Sequence, residues 1–165
     1  MNARAPIEGR FTLTDHFGNE VSEQSFLGKH QVVFFGFTNC HMVCPRALGK
    51  LSEVLDRLGD AADRIQPLYI SVDPERDSPE VMRDYLQARA PRFLGLTGTV
   101  EQAKAAQESF RVFARRAADP LDPEGYAVPH TAVTYVLDAD GDFLTHFPDT
   151  VGADRMVEAL RAELA

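Results

Sequence analysis

The apolar positions of this chain follow two rhythms: short runs of β-branched and aromatic residues, and longer stretches in which apolar side chains recur every three or four positions. The opening, Phe11-Thr12-Leu13-Thr14-Asp15 and then Phe17-Gly18-Asn19-Glu20-Val21, alternates and turns at Gly18-Asn19, which predicts an N-terminal β-hairpin at a sheet edge. Gln31-Val32-Val33-Phe34-Phe35-Gly36-Phe37 is nearly continuous in apolar residues, as a strand covered on both faces requires. From Val43 to Leu58, the spacing of Ala47, Leu48, Leu51, Val54, Leu55 and Leu58 predicts an amphipathic helix. A second strand, Ile65 to Val72, runs into the polar loop Asp73-Pro74-Glu75-Arg76-Asp77-Ser78. Asp77 or Ser78 can cap the helix that follows, with Pro79 in its first turn and Val81, Met82, Tyr85 and Leu86 on its apolar face. Phe93 to Leu96 reads as a short strand, and Thr99 with Gln102 has the capping-box spacing that opens a third helix. Residues 118–126, with Pro120, Pro123 and Gly125, predict a long, mobile loop. A hairpin of Thr131–Leu137 and Phe143–Phe147 and a helix from Ala153 to Leu164 close the chain.

Strands alternating with helices, then a terminal hairpin and helix, describe an α/β fold: a central mixed β-sheet flanked by helices, in the thioredoxin-like layout. No repeat, low-complexity tract or linker marks a boundary, and 165 residues are cramped for two cores, so residues 1–165 read as a single domain. The formal charge of −8 argues against nucleic acid, whose phosphates need clustered Lys and Arg. No apolar run approaches the roughly 20 residues that span a bilayer. The start, MNARAPIEGRF, lacks the apolar stretch of a secretion signal, so a cytosolic protein or a portion without its anchor is expected. The chain's two cysteines, four positions apart, close too short a loop to act as a structural staple. Their use is chemical.

Cys40-His41-Met42-Val43-Cys44-Pro45 lies at a strand-to-helix junction, where an i, i+4 pair on one helix face can aim two sulfurs at one ion. Thiolates are soft donors that favour Cu(I). The positive end of the helix is expected to favour thiolate over thiol. The plain alternative, two buried small hydrophobes, sits poorly with a position before Pro45 and off any apolar stripe. A redox-active pair competes more strongly. His130 alone reads as a hydrogen-bonded core or surface group. In a thioredoxin-like fold, however, the loop before its strand faces the cysteine turn, with Pro129 expected in the cis form, so His130 can complete an S₂N site. His41 and Met42 can lend a fourth donor or point outward to a partner. Asp73 and Asp77 bracket a loop at the sheet edge where open α/β folds bind ligands, but capping and turn formation is their plainest role. His16, His30 and His146 read as solvated or partly packed side chains. No paired-carboxylate pattern, G-x-x-x-x-G-K motif or serine elbow is present.

With these motifs on the page, the chain resembles the SCO/SenC family of copper proteins along nearly its full length. The resemblance is carried by Phe11 to His16, Gly36-Phe37-Thr38-Asn39-Cys40 with C-x-x-x-C-P, Ser71 to Pro79, His130-Thr131, and Leu137 to Gly141. It implies a copper cofactor, Cu(I) or Cu(II), held by Cys40, Cys44 and His130. It further implies a metallochaperone role in assembling the binuclear copper centre of cytochrome c oxidase, as metal donor or as thiol reductant of the target's cysteines. The implied partners are the copper-site subunit of that oxidase and another copper chaperone. The implied setting is a membrane-tethered protein facing the bacterial periplasm or the mitochondrial intermembrane space. Pro129 directly before His130 departs towards the thioredoxin and TlpA pattern and strengthens the reductant role. Two other readings stand beside this one: a thiol-disulfide oxidoreductase or peroxidase, and a copper or redox sensor docking through residues 118–126. The C-x-x-x-C spacing and the lack of a distant second cysteine weigh against the enzyme.

Overall fold

The computed structural model describes residues 7–40 and 43–165. Strands β1 (Thr12–Asp15) and β2 (Glu20–Ser22) form the opening hairpin, with Leu13 opposite Val21. They are followed by β3 (His30–Gly36), α1 (Val43–Leu58), β4 (Ile65–Ser71), α2 (Pro79–Arg89), β5 (Leu94–Thr97) and α3 (Val100–Phe110). Then come β6 (Ala117–Asp119), β7 (Asp122–Ala127), β8 (Val133–Leu137), β9 (Phe143–Pro148) and α4 (Ala153–Leu164). Among the described residues the main sheet has seven strands in the order β2-β1-β5-β4-β3-β8-β9. Its centre, β5-β4-β3, is parallel, while β1 and β8 pair antiparallel with β5 and β3. This is the thioredoxin-like arrangement.

Alternation along the central strands divides the interior in two. Val32 and Phe34 of β3 and Tyr69 of β4 face a core formed with Leu48, Leu51 and Leu55 of α1, Met82 and Leu86 of α2, and Met156 and Leu160 of α4. Val33 and Phe35, with Leu68 and Ile70, face the other way onto Phe11, Leu13, Phe110 and Tyr135. Burial on both faces is why β3 and β4 carry almost uninterrupted apolar sequence. Helix ends follow local chemistry: Ser78 Oγ accepts from the Val81 amide ahead of Pro79, and Thr99 and Gln102 cap each other reciprocally.

Three expectations are corrected. Residues 118–126 are not an irregular loop: Ala117 pairs with Ala127 and Ala118 with Tyr126 in a separate two-stranded hairpin, β6-β7. The prolines and Gly125 suggested irregularity, but contacts from a distant loop, described below, hold the hairpin in register. Pro129 is not cis, since no peptide bond among the described residues is. His16 is buried, with Nδ1 accepting from the Gly95 amide at 3.0 Å, so it ties the first hairpin to β5 instead of meeting solvent. No described helix is long and apolar enough to cross a membrane.

Candidate metal centre

Because β3 and β4 run parallel, with Gly36 beside Ser71, the segments leaving their C-terminal ends emerge side by side. One carries the cysteines and the other the Asp73–Ser78 loop. Asp77 joins them. Its buried carboxylate accepts from the Thr38 amide (3.2 Å), the Thr38 hydroxyl (2.5 Å) and the Ser71 hydroxyl (2.7 Å), and its backbone carbonyl accepts from Thr97 Oγ1 (2.7 Å). Burial pushes the Asp77 carboxyl above its ordinary range, and the bonds from Thr38 and Ser71 only partly offset this. Asp77 therefore anchors the cysteine turn and does not cap α2, a role that falls to Ser78.

The turn closes through the Cys40 amide, which donates to the Phe37 carbonyl at 3.1 Å. Cys40 precedes the helix, and only Cys44 lies in the first turn of α1. The Cys44 amide donates to Cys40 Sγ at 3.4 Å, so the first sulfur occupies the position of an N-cap acceptor. Both cysteines are reduced; Cys40 is half-buried and Cys44 fully buried. The expectation that the helix end favours thiolate is reversed at Cys44. The neighbouring Cys40 sulfur, followed by burial, pushes its thiol far above the ordinary value, and the Tyr69 side chain and Phe37 backbone do not offset them. His41 and Met42 lie outside the described residues.

β8 pairs antiparallel with β3, so the residues before it return to the same end of the sheet. There the Thr131 amide donates to the Phe113 carbonyl (3.0 Å) and the Arg115 amide to the Pro129 carbonyl (3.1 Å), clamping His130 between them. The His130 ring packs edge-on to Phe37, with centroids 5.9 Å apart. Its two nitrogens are engaged by backbone oxygens, Nδ1 with the Val128 carbonyl at 2.9 Å and Nε2 with the Phe35 carbonyl at 2.8 Å. Cys40 and His130 share the wall of a mainly apolar cleft of about 580 Å³, completed by Phe37, Asp119, Leu121 and Val128.

The β6-β7 hairpin borders this cleft and is latched to the Asp73–Ser78 loop. Arg76 donates to Asp73 Oδ2 (2.5 Å) and the Tyr126 carbonyl (2.7 Å), and its guanidinium lies 3.7 Å from the Tyr126 ring centre. Tyr126 Oη donates to Asp73 Oδ1 at 2.8 Å. Arg116 also stacks on Tyr126 and pairs with Glu75.

Two reduced sulfurs in one turn and an imidazole on the same cleft wall are soft and borderline donors suited to copper. Among the described residues, no three His, Cys, Asp or Glu side chains already enclose an ion, and His130 Nε2 is held by the Phe35 carbonyl. A profile of the SCO1/SenC family matches residues 1–165. The chain belongs to the SCO1/SenC family. An SCO2-like protein of Rickettsia conorii is 36% identical over 157 residues, 95% of this chain and 77% of its own length. Bradyrhizobium japonicum ScoI, solved with copper bound, matches with a TM-score of 0.85 at 37% identity, covering 96% of this chain and 99% of that one. The apo Sco1 of Thermus thermophilus gives 0.83 at 36% identity, over 98% of this chain and 94% of that one.

In this SCO1/SenC protein, Cys40, Cys44 and His130 are the residues the sequence singles out, and the fold brings them to one end of the sheet. Asp73 and Asp77 lie there too, as the ties described above. Sequence reasoning missed Tyr69, which abuts Cys44, and Gly36, whose lack of a side chain makes room for both. A Cβ on Gly36 would lie 2.7 Å from Cys44 Sγ and in collision with the Tyr69 hydroxyl.

Proposed function

We propose that this chain is a copper-binding metallochaperone. Cys40, Cys44 and His130 hold Cu(I) or Cu(II), and the cargo is destined for the binuclear copper site of cytochrome c oxidase. The observation that carries this reading is the reduced cysteine pair at the end of β3 with His130 on the adjoining cleft wall, in a family member with a copper-bound ScoI as structural neighbour. Two thiolates and one imidazole give a site of low coordination, and such a site exchanges ligands readily with the cysteines of a target subunit. The partners proposed are that subunit and a second copper chaperone as the source. The setting proposed is the periplasmic side of a bacterial inner membrane or the mitochondrial intermembrane space. The whole chain acts as one thioredoxin-like unit.

A second role at the same residues is supported by the unequal exposure of the two sulfurs. Half-buried Cys40 can meet a target disulfide while buried Cys44 waits behind it. Cys40 would attack the disulfide and Cys44 would resolve the mixed disulfide, leaving an oxidised Cys40–Cys44 pair and a target that has gained two electrons and two protons.

The test is titration of the anaerobically reduced protein with Cu(I) and with Cu(II), with metal analysis and absorption spectra, repeated for Cys40→Ser, Cys44→Ser and His130→Ala. One equivalent per chain is expected, with a sulfur-to-Cu(II) charge-transfer band lost in the cysteine variants and altered or lost without His130. Tight binding that is unchanged without His130 would leave disulfide reduction as the working role.

A further inference from the structure

Within the larger core, two tyrosine hydroxyls have no hydrogen-bond partner of proper geometry among the described residues: Tyr69 Oη, on a side chain that is 0% exposed, and Tyr85 Oη. A buried hydroxyl without a partner costs stability that phenylalanine would not, so its retention needs a reason. The two rings stack with centroids 6.0 Å apart at 19°, and Arg89 covers the outer face of the pair at 4.3 Å from the Tyr85 ring centre. Tyr69 extends from the middle of β4 towards the end of β3. There its hydroxyl and Cys44 Sγ converge on the space that Gly36 leaves empty. Any larger residue at position 36 would drive the two apart.

Cys44 sits at the inner side of the cysteine turn, away from solvent. As a neutral thiol it makes little demand on its surroundings. As a metal-bound thiolate it is a buried anion in an apolar core, which is unfavourable unless donors face it. Of the amides in the first turn of α1, that of Cys44 already donates to Cys40 Sγ and Pro45 has none, and the cleft wall that holds His130 lies on the Cys40 side. Among the described side chains, Tyr69 brings a hydroxyl proton to the space beside Gly36 that Cys44 Sγ also borders.

We propose that Tyr69 is a positioning residue for the copper site: its hydroxyl donates a hydrogen bond to Cys44 Sγ when that sulfur coordinates metal, and its oxygen then accepts from Tyr85. The two hydroxyls form a donor chain held ready for the thiolate. This assignment rests on the copper reading above. Hydrogen bonds to a ligating atom orient it and tune the metal, and their removal commonly lowers affinity by about 10- to 100-fold.

Tyr69→Phe removes one oxygen and keeps the ring. In the reduced apo protein its thermal midpoint is expected to equal or exceed that of the wild type, because an orphaned hydroxyl is lost from the core. Its Cu(I) affinity, measured by competition with a chromophoric chelator, is expected to fall about tenfold or more. The sulfur-to-Cu(II) band should move to lower energy, since a thiolate relieved of a hydrogen bond gives up charge more easily. Tyr85→Phe should shift both quantities in the same direction by less. Wild-type and Tyr69→Phe proteins with equal affinity and superimposable bands would overturn the assignment and leave the copper site intact. So would a lower affinity matched by an equal loss of apo stability, which would mark a packing effect. A wild type that binds no copper would overturn both the site and the assignment.

Discussion

The sulfur next to it and its burial push the Cys44 thiol towards the protonated form, and if Cys44 ligates copper as proposed, metal uptake must remove that proton. Cu(I) binding is therefore expected to release protons near neutral pH and to tighten as pH rises, because the proton competes with the metal for one sulfur. Calorimetry in buffers of different ionisation enthalpy would measure the release, and a pH-independent affinity would contradict it. Gly36 sets a second expectation. Gly36→Ala places a methyl group against Cys44 Sγ and the Tyr69 hydroxyl and should cost about 1–3 kcal/mol in urea unfolding. The cysteines and His130 were legible because their residue types announce chemistry. Tyr69 and Gly36 were not, because an aromatic and a glycine in apolar strands are indistinguishable from ordinary packing until two neighbouring strands are set in register.

The cysteine turn and the Asp73–Ser78 loop are coupled through Asp77. Its folded carboxyl value lies above the unfolded one, so the protonated form is the better buried. The sign follows: this group's contribution is fully present below the unfolded carboxyl range and is lost as pH rises through the folded value. Asp77→Asn should flatten that part of the pH–stability curve. Asp77→Ala, which strands the donors of Thr38 and Ser71, should cost about 1–3 kcal/mol at any pH. Denaturant titrations across the acid range would separate the two. The β6-β7 hairpin depends instead on Arg76 and Tyr126. Arg76→Ala should speed amide exchange across 117–127 about tenfold or more and lower global stability by about 1–3 kcal/mol, since it leaves the buried Asp73 carboxylate without its cation. This hairpin was the element the sequence misrepresented: its local composition favours a loop, and what orders it comes from residues some 50 positions away.

Across the whole molecule the sheet separates two cores, and alternation along β3 and β4 divides their residues between them. Leu51→Ala on one side should cost about 2–5 kcal/mol and Phe110→Ala on the other about 3–5 kcal/mol. Both variants should keep one cooperative urea transition, seen identically by circular dichroism and tyrosine fluorescence, if the chain folds as one unit. Separate transitions for the two faces would refute that. The elements were legible because helix and strand periods here are strong; α1 and α4 have the boundaries their spacing predicts. Pairing order and the course of the chain around His130 were not, because they depend on which strands meet.

The double engagement of His130 with the carbonyls of Val128 and Phe35 sets a sequence of events in time. In the proposed copper site an incoming ion would meet the sulfurs first and wait for the imidazole to let go of the Phe35 carbonyl, so loading is expected in two kinetic phases, the slower independent of metal concentration. On the same proposal the ring would be the first to leave, returning to the Phe35 carbonyl, so that unloading would begin from within the protein and a recipient would compete for an ion held by two sulfurs.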